Sequence, residues 1–228
     1  METPGGPQQP EEPQQPESQP EPMAERPAAP LEPSQSGPPA LRYPVSVSFR
    51  WQEEYAQFMP LIKWLILIPH YFVLFFLWVA AFVSWVIAFF AVLFTRRFPR
   101  SLFDFNLGVL RWTLRVTSYG YLMNDRYPPF SLGEEPDYPA QLSIEYPEEV
   151  DRWRAPFAWI VGLPYALAAG VLQYIASLLA FFAIFTILFT KRYPKGMFDI
   201  VDVATRWQFR SVAYSGFMVT KYPPFVWG

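Results

Sequence analysis

Cysteine is absent from the 228 residues, and histidine occurs once, at His70. The first absence excludes a disulfide framework, a thiolate metal site and a cysteine nucleophile. The second excludes a His-rich zinc site and would force any Ser-His-Asp triad through His70. No phosphate loop, dinucleotide fingerprint or EF-hand pattern occurs, and no basic stripe of nucleic-acid type. Acidic clusters do occur, Glu134-Glu135 with Asp137 and Glu148-Glu149 with Asp151. They lie in turn-rich sequence, where solvated charge is the default. The chain therefore reads as non-enzymatic, with no cofactor, no metal and no nucleic-acid partner.

What is present divides into two unlike parts. Residues 1–40 hold 12 prolines, seven glutamates and a single basic residue, Arg26. Such a stretch cannot bury enough surface to offset backbone entropy, so it is expected to be a disordered, partly polyproline II tail. It lacks the basic start and apolar stretch of a signal peptide. It reads as a solubilising spacer, or as bait for a proline-recognising domain. The whole chain carries −2, so the remaining body is basic as well as very apolar.

Two runs carry no formal charge: 32 residues between Lys63 and Arg96, and 36 between Arg154 and Lys191. Runs of 18 or more such residues read as membrane segments, and neither has a polar face with helical period. Aromatic residues sit near their ends, with Trp64, Trp112, Trp159, Trp207 and His70 as candidate interfacial anchors. A mainly α-helical, integral membrane protein of the cell (inner or plasma) membrane is the expectation.

The chain also repeats itself directly. Sliding it by 95 residues aligns 43–130 with 138–225 without a gap, with 27 identities in 88 positions. FTRRFPRSLFDF (94–105) matches FTKRYPKGMFDI (189–200), RWTLR (111–115) matches RWQFR (206–210), and RYPPF (126–130) matches KYPPF (221–225). One supersecondary unit is used twice, giving an expected tail at 1–40, a first repeat at 41–132 and a second at 133–228. Each unit begins with an alternating stretch that predicts a short strand, at Val45, Val47, Phe49, Trp51 and at Leu142, Ile144, Tyr146. Glu53-Glu54 and Glu148-Glu149 then suit a helix start. The apolar run follows as a long helical segment or a hairpin, interrupted at Pro69 or Pro164. A helix over about 103–123 (198–218) closes at Tyr-Pro-Pro-Phe. The two strands are expected to pair across a pseudo-twofold axis.

IPHY (68–71), TRRFP (95–99) with TKRYP (190–194), LFDF (102–105), the RW and R of 111–115 and DRYPPF (125–130) together resemble the bacterial membrane family Domain of Unknown Function 4389. The second copy is looser: Tyr165 stands in place of His70, and Gly162 and Gly170 soften its run. The resemblance implies a membrane location and supplies no activity.

The positive-inside rule places the basic flanks 96–100 and 191–195 on the cytoplasmic side, so each unit crosses the bilayer an even number of times. One solution is a shallow hairpin wedge. The other is two full spans per unit, multi-pass, with the second helix returning through the membrane. At 100° per residue that second helix carries a narrow charged stripe: Asp104, Arg111 and Arg115, with Asp199, Asp202, Arg206 and Arg210 in the second copy. The stripe reads as an Asp–Arg lock between the repeats, as a seat for anionic lipids, or as a substrate or proton path. His70 reads as an amphipathic anchor or, less simply, a proton relay. The function expected from these features is membrane organisation or the binding of lipid, of a protein partner or of a second copy. A small transporter or channel component using buried Asp/Arg pairs is the alternative.

Overall fold

The structure is a computed structural model that describes Met1 and residues 43–227; the expected proline-rich tail otherwise lies outside the described residues. Seven elements follow in order: β1 (Val45–Phe49), α1 (Met59–Ile66), α2 (Ile68–Thr95), α3 (Arg100–Gly120), β2 (Ala140–Ile144), α4 (Arg154–Thr190) and α5 (Lys195–Ser215).

The expected long helical segments are present, and neither apolar run folds back as a hairpin. Leu67 keeps right-handed helical angles between α1 and α2, and backbone hydrogen bonds continue from Leu67 to Lys63 and from Tyr71 to Leu67. Pro69 sits in the first turn of α2, where its missing amide costs nothing. Pro164 is absorbed inside α4. Each apolar segment is thus about 37 residues of helix, roughly 55 Å at about 1.5 Å per residue. The acidic pairs lie outside the helices: α1 and α4 have no acidic residue in their first turns.

Arg96 (φ 59°) and Lys191 (φ 57°) take left-handed conformations that end the apolar helices. The chain reverses, and α3 and α5 begin directly after Pro99 and Pro194, three residues before the positions read from the sequence. Leu122 and Phe217 repeat the left-handed ending at φ 63° and 62°. There the amide of Met123 bonds to Ser118 O and that of Met218 to Ala213 O, the six-to-one closure of a Schellman motif.

The strands pair antiparallel, with Val45 opposite Ile144, Val47 opposite Leu142 and Phe49 opposite Ala140. Swapping the two repeats maps this register onto itself, so a pseudo-twofold axis passes perpendicular to the ribbon between Val47 and Leu142. The strands are exchanged: β2 of the second repeat lies on α3 of the first, and β1 lies on α5. One apolar core therefore runs from Val45 and Val47 through Leu107 and Leu110 to Phe209 and Ala213.

Three layers result. The strand ribbon lies along one side of α3, with Tyr146 edge-on to Phe103 at 5.0 Å and Tyr138 Oη donating to Arg115 O. On the opposite side α2 runs antiparallel to α3: Asn106 Nδ2 donates to Ser84 Oγ at 2.8 Å and Trp78 Nε1 to Thr113 Oγ1 at 3.1 Å. The second repeat builds the same arrangement around α5, with α4 packed against it.

The outer layer is sorted by side-chain size. Helix α4 turns Ala155, Ala158, Gly162, Ala169, Ala176, Ala180 and Ala183 inward, together with Tyr165 and Ile187, and leaves Leu167, Val171, Phe181, Phe185 and Phe189 exposed. In α2, Ala81, Ser84 and Ala88 are buried in the middle turns, with His70, Leu74 and Val92 buried towards the ends, while Phe72, Phe75, Phe82 and Phe90 are exposed. Only 22% of the most apolar stretch of each helix is buried, which is not how the core helix of a water-soluble domain behaves.

Candidate functional site

The two arginines of the α3 stripe, Arg111 and Arg115, lie under the ribbon and the 131–134 loop. Gly108 makes this possible, because a Cβ there would meet both Cβ and O of Leu132 at 2.9 Å. One turn on, Arg111 donates through Nε to Leu142 O at 3.1 Å and pairs with Glu134. Arg115, 2% exposed, donates to Gly133 O at 3.1 Å and to Ser131 O. Burial pushes its guanidinium below the usual arginine range. These two arginines fasten the loop and the second repeat's strand to the first repeat's helix.

The carboxylates do not form the expected lock between repeats. Asp104 pairs with Arg100 at 3.3 Å and Asp199 with Lys195, each one turn back on its own helix and largely exposed. Asp202 and Arg206 pair at 2.6 Å, again within α5. Side chains one turn apart on one helix are simply closer than those on a neighbouring helix. Asp202 is nonetheless unusual, because burial pushes its carboxyl up to about 6 despite Arg206 beside it. Arg210 is buried and lies 5.5 Å from the centre of the Tyr43 ring.

The five candidate anchors separate. Trp64 and Trp159 are exposed, as an interfacial role requires, whereas His70, Trp112 and Trp207 are buried. The cause is the Tyr-Pro-Pro-Phe segment, which folds back over them: Phe130 stacks on His70 at 3.9 Å, and Phe225 lies 5.0 Å from Tyr165. His70 Nδ1 accepts from Trp112 Nε1 at 3.0 Å. In the second copy Trp207 Nε1 donates instead to Val226 O at 2.9 Å. The counterpart of that carbonyl is Ser131 O, already taken by Arg115. Trp112 bonds His70 instead, and residue 70 is a histidine where residue 165 is a tyrosine.

Sequence reading missed a second polar cluster. Lys63, 1% exposed, pairs with Asp125 at 2.6 Å and donates to Asn124 O, also at 2.6 Å. Arg154 makes the matching contact in the second copy, donating to Val219 O at 3.0 Å and to Thr220 O. Residues 219 and 220 are the counterparts of 124 and 125, but Arg154 is the counterpart of Met59. The same carbonyl is reached from positions one helical turn apart, so aligning the repeats hides the match. A lone lysine in an apolar helix was the available signal.

A cavity of about 270 Å³ lies on the pseudo-twofold axis. Its walls are counterparts: Trp78 with Gln173, Thr113 with Gln208, Leu110 with Thr205. The lining has hydroxyls and amides and no charged residue, so none of the stripe residues reaches it. Among the described residues no group of acidic or histidine side chains could hold a metal ion.

No curated protein and no solved structure matches the chain. A family model described as a domain of unknown function, DUF4389, matches residues 60–131 and again 153–226. The two matched segments cover most of the two repeats, and the chain belongs to that family as a tandem pair of its domains.

Proposed function

We propose that the protein is a monotopic, non-enzymatic membrane protein that lies in one leaflet and presents its ribbon face to water as a platform for a partner. The observation that carries this reading is the sorting of α2 and α4: small residues inward, a continuous Phe-, Leu- and Val-rich face outward, on the side opposite the ribbon. Membrane helices pack through small residues and leave bulky apolar ones to lipid.

The ribbon supports an in-plane orientation. It runs beside α3 for most of that helix, and α2 runs along the other side. If α2 stood across the bilayer, the two open ribbon edges would lie in hydrocarbon, where each unsatisfied backbone group costs several kcal/mol. With the helices parallel to the membrane plane, the ribbon stays wet and the apolar face sinks about 5–10 Å into the headgroup and acyl boundary. This reading departs from the multi-pass expectation, and it puts long in-plane helices in place of the hairpin wedge. The exposed basic clusters at 96–100 and 191–195 then reach anionic headgroups from both ends of the antiparallel layer, on the cytoplasmic leaflet. They suit that role better than Arg111 and Arg115, which are engaged by carbonyls and, for Arg111, by Glu134.

Spin labels at Phe72, Phe75, Phe82, Val83 and Phe90 test the orientation by depth. Each position is replaced singly by cysteine in the Cys-free chain and lies on the exposed face of α2. An in-plane helix gives one common shallow depth along its length. A profile that deepens towards the middle of α2 and becomes shallow again would mean a spanning helix and overturn the proposal. It would also favour the second reading, a small transporter, which draws on the axial cavity and its uncharged polar walls rather than on Asp/Arg pairs.

A further inference from the structure

The two repeats differ at one place where the core meets the apolar face. In the first repeat Tyr121 reaches across to α4, where its hydroxyl accepts from Gln173 Nε2 at 2.6 Å and lies 3.1 Å from Ser177 Oγ. The counterparts of Tyr121, Gln173 and Ser177 are Gly216, Trp78 and Phe82. The side chain that fills this place in one repeat is missing in the other, and the polar residues that held it are aromatic. A groove of about 530 Å³ stands there, walled by Trp78, Phe82, Trp85, Phe89 and Phe217 and floored by Gly216. That volume lies within the ~300–1,000 Å³ of small-molecule sites.

One polar group in the groove wall has nothing to bind. Trp85 Nε1 is buried without a hydrogen-bond partner, whereas the indole of Trp78 is engaged by Thr113. Trp85 Nε1 lies 2.9 Å from where a Cβ of residue 216 would stand, so glycine there is what lets the indole edge reach the floor. A buried N–H left unpaired is costly, and such an orphan in a cavity points to a missing acceptor. The rim residues Phe82 and Phe90 belong to the exposed apolar face of α2, so the groove opens on that face.

The geometry points to a lipid site: the groove takes one hydrocarbon chain of a bilayer lipid, with the lipid's ester carbonyl accepting from Trp85 Nε1. This rests on the membrane reading above, because the entrance must face hydrocarbon. The occupant replaces in the second repeat what the Tyr121 ring and hydroxyl supply in the first: apolar bulk ending in a hydrogen-bond acceptor.

The test uses the full chain in micelles of a detergent without ester groups, containing a trace of phosphatidylcholine with a diazirine in its acyl chain. After irradiation the labelled peptides are mapped. The expected result is label concentrated at 78–90 and 215–217 that falls as unlabelled phosphatidylcholine is raised. Gly216→Tyr, which restores the first repeat's residue, should abolish that label while label on the outer face of α4 persists. Because a tyrosine must displace Trp85, a second variant is needed: Trp85→Phe keeps the wall, removes the donor and should raise the half-competing concentration by roughly tenfold. Label spread evenly over α2 and α4, not competed and unchanged in both variants, would overturn the lipid site and leave the membrane reading standing. No label on either helix would overturn both.

Discussion

Val47 lies opposite Leu142, the residue that follows it by one repeat length, so the pseudo-twofold axis passes through a pair of counterparts. The flanking bonds, Arg50 N to Pro139 O at 2.8 Å and Glu145 N to Pro44 O at 2.9 Å, make Val47 and Leu142 a non-hydrogen-bonded pair. Such pairs bring Cα atoms to about 4.5 Å with side chains close, within disulfide reach. The chain has no cysteine of its own. Val47→Cys combined with Leu142→Cys should therefore crosslink on mild oxidation and give a reducible mobility shift on a denaturing gel. Val47→Cys with Ala140→Cys, which tests a register slipped by two, should not. The reverse outcome would displace the axis and the strand exchange with it.

Gly108 holds the 131–134 loop against the charged stripe, and its replacement separates packing from helix propensity. In a free helix Gly→Ala gains about 1 kcal/mol. At Gly108 the new methyl would meet Leu132 Cβ and O at 2.9 Å, and overpacking of this kind costs about 1–3 kcal/mol. Gly108→Ala should therefore lower the thermal midpoint in detergent. Gly170→Ala, in α4 with nothing within 4 Å of the new atom, should leave it unchanged or raise it. Equal responses at the two sites would mean that the loop does not bear on α3.

Much of this architecture could be read in the chain before the fold was known, because the repeat is nearly gapless. The tandem copies, the strand in each copy, their pairing and the order of helices all follow from the 95-residue offset and the spacing of prolines. What the sequence concealed was direction. On a helix free of charge, hydrophobicity has no period, so the sorting of α4 into small inward and bulky outward residues is a pattern of volume, invisible to a polarity scan. The stripe on α3 was legible as a stripe, but its cover was not. Arg111 and Arg115 donate to backbone carbonyls of Leu142, Gly133 and Ser131, and any residue type can supply a carbonyl. The same reason hid Lys63 and Arg154, which find carbonyls from unequal positions.

His70 and Trp112 form a buried donor–acceptor pair, so His70 is not an exposed interfacial anchor. His70→Phe keeps the stacking on Phe130 but removes the acceptor to which Trp112 Nε1 donates. A buried unsatisfied donor costs about 1–3 kcal/mol. Trp112→Phe alone loses the same bond together with ring volume. The double variant His70→Phe/Trp112→Phe should be less destabilised than the two single losses added, by about 1 kcal/mol or more. Strict additivity of the unfolding free energies would show that the bond contributes nothing.

Asp202 gives the fold a pH dependence opposite to that of an ordinary salt-bridged carboxylate. Its folded-state pKa is raised to about 6, first by burial and against the pull of Arg206, whereas an unfolded aspartate titrates near 3.9. Between these values the folded chain keeps a proton that the unfolded chain has released. Stability from this group is therefore fully present below about pH 4 and is lost as the pH rises through about 6. At about 1.4 kcal/mol per pKa unit, the loss by pH 7 is on the order of 3 kcal/mol. Asp202→Asn cannot ionise and should lack this component, although Arg206 loses its charged partner. Unfolding midpoints of the two proteins, followed in the same detergent from about pH 4.5 to pH 7.5, should change relative to each other, the wild type losing ground as the pH rises. Parallel curves would show that Asp202 is solvated in the folded chain.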